Sequence, residues 1–577
     1  MNANVKTPWY AHCDGVPLHL EYPDCSMVEL VARTAEQHPD IVAYEFFGGK
    51  VTYKQMMEEI RRCAAALCAM GIEPGQKVTI CMPNTPQAVV MFYAINYMGA
   101  IANMVHPLSG QEEIAFYLNE SESVAALTLN QFYSKFDAIR DKIHIKKLII
   151  ASISEALSGP IKLGYWATQG RKIPDIPKTD NMVTLWKDFL QAGDVYAGTV
   201  QRAQKAQDTA AILYSGGTTG TTKGILLSNL NFNALGLQTA AAGNCLVVGH
   251  KMLSIMPIFH GFGLGVCIHT VLINGGTCIL VPQFTVDSYA GLLKKHKPNY
   301  IAGVPTLYEA LLRLKKVEKL DLSQLEGIFS GGDSLSIELK HKVDKFLKSH
   351  GSKEQIREGY GTTECVTASC LTPKSSYKEG SIGIPFPDTY YKIVIPSTHD
   401  EVPYGQIGEI CISGPTVMQG YMNQPKETAQ TLQLHEDGMV WLHTGDLGSM
   451  DEEGFIYFKQ RLKRMIITSG YNVYPSQVEN AIDAHEAVLM STVIGIKDDY
   501  KMQRVKAFVV LRPGYSPSEE LEADLREHLK KHVAKYAMPG EIEFRDALPK
   551  TLVGKVAYTV LEREEAEKAE AKETAEV

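Results

Sequence analysis

With 577 residues the chain is too long for one hydrophobic core, which stops growing near about 250–300 residues, so several subdomains are expected. A content of 45% hydrophobic and 21% charged residues excludes a disordered or fibrous chain, and the formal net charge of −8 disfavours nonspecific nucleic-acid binding. The eleven cysteines contain no C-x-x-C pair, which argues against zinc or redox work and reads as buried thiols in a reducing, cytoplasmic setting.

Residues 1–8 carry no apolar stretch, so a secretory signal is not expected. Apolar residues at helical spacing predict helices over 27–38 and 53–70. Gly71-Ile72-Glu73-Pro74-Gly75 then ends the second helix before a strand over 77–83. The alternation continues through 86–97, 110–118 and 148–151, the rhythm of a parallel sheet wrapped by helices. The longest apolar runs, 89–105 and 262–282, are broken by Asn96, Asn103, His269 and Asn274, so they read as buried elements and no transmembrane segment is expected. Over 152–206 the rhythm breaks. This stretch, with Gly164-Tyr165-Trp166, reads as a solvated surface excursion and leaves peripheral membrane contact open.

The apolar run Ala210-Ala211-Ile212-Leu213 leads straight into Tyr214-Ser215-Gly216-Gly217-Thr218-Thr219-Gly220-Thr221-Thr222-Lys223-Gly224. Glycines let backbone N–H groups converge on an anion, hydroxyls add donors, and the lysine adds positive charge, so this is a phosphate cradle leaving a buried strand. It is not the common mononucleotide loop, because G-x-x-x-x-G-K-[ST] would need a glycine at Thr222 and a hydroxyl at Gly224.

Strands are predicted over 252–259 and 300–305, and short alternating runs punctuated by Gly and Pro predict a β-rich subdomain at about 383–458. The charged run Lys459-Gln460-Arg461-Leu462-Lys463-Arg464 marks a boundary, and 473–535 outlines a small α/β unit. The tail 561–577, almost all Glu, Lys, Ala and Thr, reads as a solvated helix or frayed end.

At this point four motifs line up. The cradle resembles the Ser/Thr/Gly-rich loop of the adenylate-forming superfamily, which includes acyl-CoA synthetases, aryl-CoA ligases, luciferases and nonribosomal-peptide adenylation domains. Gly359-Tyr360-Gly361-Thr362-Thr363-Glu364 resembles its Tyr-Gly-x-Thr-Glu signature, and Thr444-Gly445-Asp446 its ribose motif. Pro549-Lys550-Thr551-Leu552-Val553-Gly554-Lys555 resembles its C-terminal lysine motif. Departures are Thr222 for a proline, Gly216 for a serine, Gln460 for a glycine, and Tyr558 where a basic residue is expected.

The resemblance implies an α/β chain of three parts: a large N-terminal domain of parallel sheets over 1–462 that includes the β-rich subdomain, a small mobile α/β domain over 463–560, and a charged tail over 561–577. It implies an acid–thiol ligase acting on a carboxylic acid, medium- or long-chain fatty or aryl. The acid attacks the α-phosphate of ATP to give acyl-AMP and pyrophosphate, and coenzyme A then displaces AMP; the alternative acceptor is a carrier-protein phosphopantetheine. On this reading Ser215, Gly216, Gly217, Thr218, Thr219, Gly220 and Lys223 hold the β- and γ-phosphates, and Glu364 with Thr219 holds Mg²⁺. Thr363 donates to the α-phosphate. Gly359, Tyr360, Gly361 and Thr362 bind the nucleotide, with Tyr360 against adenine, and Gly332 and Asp333 flank it. Asp446 accepts the ribose hydroxyls, helped by Arg461. Lys463 is the hinge, and Gly470 and Tyr471 line the pantetheine entrance after rotation. Lys555 bridges the attacking carboxylate and the α-phosphate. His260 is a wall or gate of an acyl pocket built with Phe259, Gly261, Phe262, Gly263, Val304, Gly331 and Gly332, whose small residues leave room for the acyl group. Gly331-Gly332-Asp333-Ser334-Leu335 imitates a carrier-protein attachment site but lies between pocket segments, so Ser334 is expected to stay unmodified. The enzyme is expected to be a monomer or homodimer.

Overall fold

The computed structural model describes residues 5–576 except 158, 169, 174–175, 177–179, 201, 216–221, 245, 315–316, 318–319, 469–470, 499–501 and 552–555; the side chains of 172, 463, 471–472 and 570–576 are also outside the description. Two large sheets dominate. In the nine-stranded sheet, six neighbours run parallel: Ile356–Tyr360, Gly327–Ser330, Tyr300–Gly303, Lys251–Ser254, Thr277–Leu280 and Val42–Phe46. The eight-stranded sheet has a parallel body of Thr209–Ser215, Ile101–Met104, Lys77–Cys81, Ala125–Leu129, Lys147–Ala151 and Val183–Leu185, with Lys223–Ser228 folded back antiparallel on the first.

Burial on both faces explains why these strands read as unbroken apolar runs. Met252, Cys278 and Tyr300 of one sheet share a core with Val78 and Ile80 of the other and with Phe92 of the helix between them. That helix, Pro86–Tyr97, is buried on every side, so it shows no amphipathic stripe; Thr85 caps it and Pro86 takes its first position. The alternate residues Leu253, Ile279 and Ile301 face a second core with Tyr289, Tyr308 and Leu347. Ile114, Tyr117 and Phe136 cover the far face of the other sheet. The result is helix, sheet, helix, sheet, helix.

A five-stranded antiparallel unit holds Tyr390–Val394, Gly408–Ser413, Leu432–Leu434, Val440–Met450 and Ile456–Arg461. The C-terminal sheet holds Tyr471–Val473, Ile466–Thr468, Met502–Leu511, Val488–Asp498 and Glu541–Phe544, covered by the helices Pro475–Asp483 and Glu519–Lys530.

Three expectations change. The segment 152–206 is only partly a surface excursion: Gly159–Thr168 does expose Leu163 and Trp166, yet Val183–Leu185 joins the eight-stranded sheet. Trp186–Asp194 packs on Tyr53–Ala69, where a methyl on Gly193 would come within 2.4 Å of the Arg62 carbonyl oxygen. The predicted strand 252–259 stops at Ser254, because Pro257 cannot donate to a ladder and His260 begins a helical segment. The tail helix Tyr558–Glu576 is docked at its start: Leu561 is fully buried, and Glu565 accepts from the buried Lys506 at 2.9 Å. Among the described residues no helix is long and apolar enough to cross a membrane.

Candidate active site

Gly327–Ser330 and Ile356–Tyr360 release their carboxyl ends on the same side, where open α/β sheets bind ligands. Gly332 follows the first strand at φ +82°, a left-handed turn that glycine takes without a Cβ clash. Asp333 and Ser334 come next, the Ser334 N–H donating to Asp333 Oδ1 at 3.0 Å. From the second strand, the Tyr360 hydroxyl donates to Asp446 Oδ2 at 2.6 Å, and its ring meets Phe458 at 5.8 Å. Asp446 and Arg461 are register partners across two antiparallel strands, which sets Arg461 Nε 3.3 Å from Asp446 Oδ1. Asp446 is only 2% exposed, so a phenol and a guanidinium replace the water its charge has lost.

Gly332, Asp333, Gly359, Tyr360, Gly361, Asp446 and Arg461 all wall one cleft of ≈ 340 Å³. Its other wall comes from the C-terminal unit: Arg464, Glu479, Asp483, Ser491, and Thr551, Val556 and Tyr558 on either side of 552–555. Arg464 pairs with Glu479, donates to Thr492 Oγ1 at 3.0 Å, and lies 4.7 Å from the Tyr558 ring centre. Tyr558, unexpected in sequence, thus supplies an aromatic face to a half-buried cation. Burial pushes the Asp483 carboxyl well up, although the Ser491 hydroxyl donates to it at 2.8 Å.

Glu364 stands beside this cleft, not in its wall. It sits in the short turn Thr363–Cys365, packed against the strand Thr209–Ser215, and is followed by Val366 at φ +64° and Thr367 at φ +151°. Left-handed conformations at β-branched residues cost about 1–3 kcal/mol each and persist only where the surroundings hold them. Here two glycines make the room: a methyl on Gly261 would fall 1.7 Å from the Val366 oxygen, and one on Gly361 would fall 2.4 Å from the Thr367 oxygen. The bend presents Glu364 Oε1 to the Tyr421 hydroxyl, which donates at 2.9 Å. On that ring's face lies Lys223 Nζ, 4.7 Å from the centre, at the end of the cradle and in register with Ser215. Arg461 is raised by Asp446 first and, more weakly, by Glu364, so one cation feels both carboxylates.

Glu358 lies in the cleft wall with its carboxyl accepting the Leu335 N–H at 3.2 Å. Burial raises it from 4.5 to about 8, against the opposing pull of that N–H and of Lys340. An unfolded glutamate ionises near 4.5 while the folded one keeps its proton to about 8. The unfolded state therefore binds fewer protons across this window and stability falls as pH rises through it. Glu358→Gln is expected to remove that loss: its melting temperature relative to the parent should climb between about pH 5 and pH 8. A pH-independent difference would show that Glu358 ionises normally.

His260 is half-buried; Nδ1 accepts the Phe262 N–H at 3.2 Å. It precedes a fully buried π-helix, Phe262–His269. The expected roominess of the acyl pocket is not what its glycines provide. The space beside Gly261 and Gly263 is filled by backbone oxygens, those of Val366 and Pro257, so their smallness serves close packing. Gly331 likewise faces the Gly359 oxygen at 3.1 Å from a would-be methyl.

Gly216, Gly217, Thr218, Thr219, Gly220, Gly470 and Lys555 lie outside the described residues, as do the side chains of Lys463 and Tyr471. Thr362 is buried and begins the turn of Glu364, and Thr363 is half-exposed within it. Ser215, Lys223 and His260 are not in the wall of the main cleft. Sequence reasoning missed Tyr421, Glu358, Arg464, Glu479 and Asp483. Tyr421 sits in no charged motif and reaches Glu364 through a two-residue strand, Gly420–Tyr421, that adds to the eight-stranded sheet. The one available signal for Glu479 and Asp483 was their spacing of four on a helix, which puts both carboxyls on one face.

Residues 31–422 match the family described as AMP-binding enzyme, and 477–555 match the AMP-binding enzyme C-terminal domain. A long-chain-fatty-acid–CoA ligase of Bacillus subtilis (strain 168) is 35% identical over 569 residues, covering 97% of this chain and 99% of that one. The ligase of the same name from Salmonella typhimurium is 31% identical over 539 residues, 92% and 93% of the two chains. Among solved structures, ATP-bound MatB from Rhodopseudomonas palustris superposes with a TM-score of 0.80 at 25% identity, covering 93% of this chain and 98% of that one.

Proposed function

The chain belongs to the AMP-binding enzyme family, and from that premise we infer that it is an ATP-dependent, AMP-forming acyl-CoA synthetase whose acid is a long-chain fatty acid. The observation that carries the reading is the convergence on one cleft of the Tyr360 strand end, the Asp446–Arg461 pair and the residues flanking 552–555. The fatty chain is supported by the two bacterial relatives of that name.

The obstacle is electrostatic: an anionic acid must reach a polyphosphate while charge builds on departing pyrophosphate. Lys223 with the hydroxyls and amides of 215–221 answers the β- and γ-phosphates. Thr363 donates at the α-phosphate, and Lys555 meets the carboxylate and the phosphate at once. The Tyr360 hydroxyl already occupies Asp446 Oδ2, so ribose is read by the remaining lone pairs of Asp446 together with Arg461. A divalent cation fits the donor chemistry at Glu364, a hard carboxylate engaged by the neutral Tyr421 hydroxyl, with Thr219 as the second oxygen. When bound, Mg²⁺ supplies countercharge to the phosphates.

In the second half-reaction the thiol adds to the acyl carbonyl and AMP leaves. Gly470 and Tyr471 are proposed to line the pantetheine entrance once the C-terminal unit has rotated. Leu462–Arg464 forms a single 3₁₀ turn between the two units, a short element suited to absorb that rotation about Lys463. Lys463→Pro is expected to lower thioester formation by at least about tenfold more than acyl-AMP formation, because it fixes φ. Equal losses in the two half-reactions would remove the hinge.

The free thiols of the described cysteines, nearly all buried, support a reducing cytoplasmic setting. The reading is tested by offering the enzyme ATP, Mg²⁺, CoA and acids of graded chain length beside aryl acids, with pyrophosphate and acyl-CoA measured. Long-chain acids should give both products. Pyrophosphate without acyl-CoA would point to a carrier-protein acceptor, and aryl preference would overturn the substrate class.

A further inference from the structure

The β-rich unit gathers three imidazoles. His399 follows the strand Tyr390–Val394, His435 follows Leu432–Leu434, and His443 lies within Val440–Met450. His435 Nε2 and His443 Nε2 are 2.9 Å apart, and the His399 and His435 rings stack with centres 3.9 Å apart. One ring nitrogen from each of the three lies within 4.8 Å of the others. His435 and His443 are 4% and 8% exposed, while His399 is open to solvent. None of the three is in the wall of the nucleotide cleft.

His399 Nε2 donates to Gln433 Oε1 at 2.9 Å, while the inner pair is left with one buried nitrogen unmatched. His443 Nδ1 is 3.0 Å from Glu409 Oε2, so it carries the proton and Nε2 is left as the lone-pair nitrogen. His435 must then donate through its own Nε2, and its Nδ1 is buried with no hydrogen-bond partner.

We propose that His399, His435 and His443 form a binding site for one transition-metal ion of the zinc class. Zinc-type ions take imidazole nitrogens at about 2.0–2.1 Å, which in a tetrahedron spaces the nitrogens about 3.3 Å apart. The His435 and His443 nitrogens have to open slightly from 2.9 Å, and the exposed His399 swings off its stack to close the third edge. Solvent takes the fourth position beside His399. The proton shared by the two Nε2 atoms moves to His435 Nδ1. Glu409 behind His443 is the carboxylate that orients and enriches a metal-bound histidine in such sites. Its other oxygen, Oε1, accepts the Gly445 N–H at 2.9 Å, so one carboxylate braces both the metal ligand and the turn that leads to Asp446. A rival set, Glu409, Cys411 and His443, is wholly buried, with the thiol pushed well up by burial, so an ion arriving from solvent meets the histidines first.

Titration of the full-length protein with Co²⁺ alone tests the assignment. One equivalent is expected to produce the visible ligand-field bands of a low-coordinate nitrogen–oxygen site. His399→Ala, at a surface position, should keep basal ligase activity and weaken Co²⁺ binding by at least about tenfold. His435→Gln should do the same to the bands, with its melting curve as the check on folding. Three results would each overturn the site: no visible bands, bands unchanged in His399→Ala, or a thiolate-to-cobalt charge-transfer band that puts the ion on Cys411.

Discussion

Lys555→Ala is expected to slow acyl-AMP formation by roughly 30- to 1,000-fold, about 2–4 kcal/mol of barrier, and to leave thioester formation from supplied acyl-AMP nearly intact. The first half-reaction brings an anion to an anion, and a cation that touches both is worth most there. The second has acyl-AMP and a thiol as reactants; the thiol attacks the carbonyl carbon and not the anionic phosphate, so the repulsion at the attacked atom is much smaller. Thr551, Val556 and Tyr558, on either side of 552–555, line the main cleft, and Lys550 pairs with Val556 in an isolated antiparallel bridge. The two half-reactions are measured separately, pyrophosphate release for one and CoA consumption from synthetic acyl-AMP for the other. A matching loss in both would end the assignment of Lys555 to adenylation.

Glu364→Gln is the second large effect, a fall of about 100-fold or more in pyrophosphate release, with the Mg²⁺ concentration needed for half-maximal rate moved upward. The substitution is chosen because it isolates charge. The glutamine oxygen can still accept from the Tyr421 hydroxyl, and the strained backbone at Val366 and Thr367 is untouched, so the melting temperature should hold. What disappears is the carboxylate's negative charge beside the cradle. If the variant retains the parental rate and Mg²⁺ dependence, Glu364 is a structural partner of Tyr421 and not a cation ligand.

Much of the fold was legible because local chemistry and tertiary burial agree over its first half. Ser26, Thr52 and Thr85 sit at the N-caps of three helices that periodicity alone predicted to within a few residues. The strands announced themselves as apolar runs because both faces are buried. Reading failed where composition is neutral and context decides. The 183–194 segment looks like a loop, yet its strand finds an open sheet edge and its helix finds the Arg62 face. The tail looks solvated, but four Lys and Glu side chains, Lys506, Glu541, Glu543 and Glu565, tie it to the sheet.

At the site, residue type alone named a phosphate cradle, glycines and hydroxyls ahead of a lysine, while the roles proposed for Glu364, Asp446 and Lys555 come from the resemblance of their motifs to the adenylate-forming superfamily. These are local statements about what a residue can donate or accept, and they survive without coordinates. Which groups meet is a matter of long-range pairing. Tyr360 finds Asp446 across 86 positions, and Tyr421 finds Glu364 across 57. The glycines of the 261–263 stretch are small because backbone oxygens occupy the space, a fact about neighbours far along the chain that no spacing in the sequence encodes.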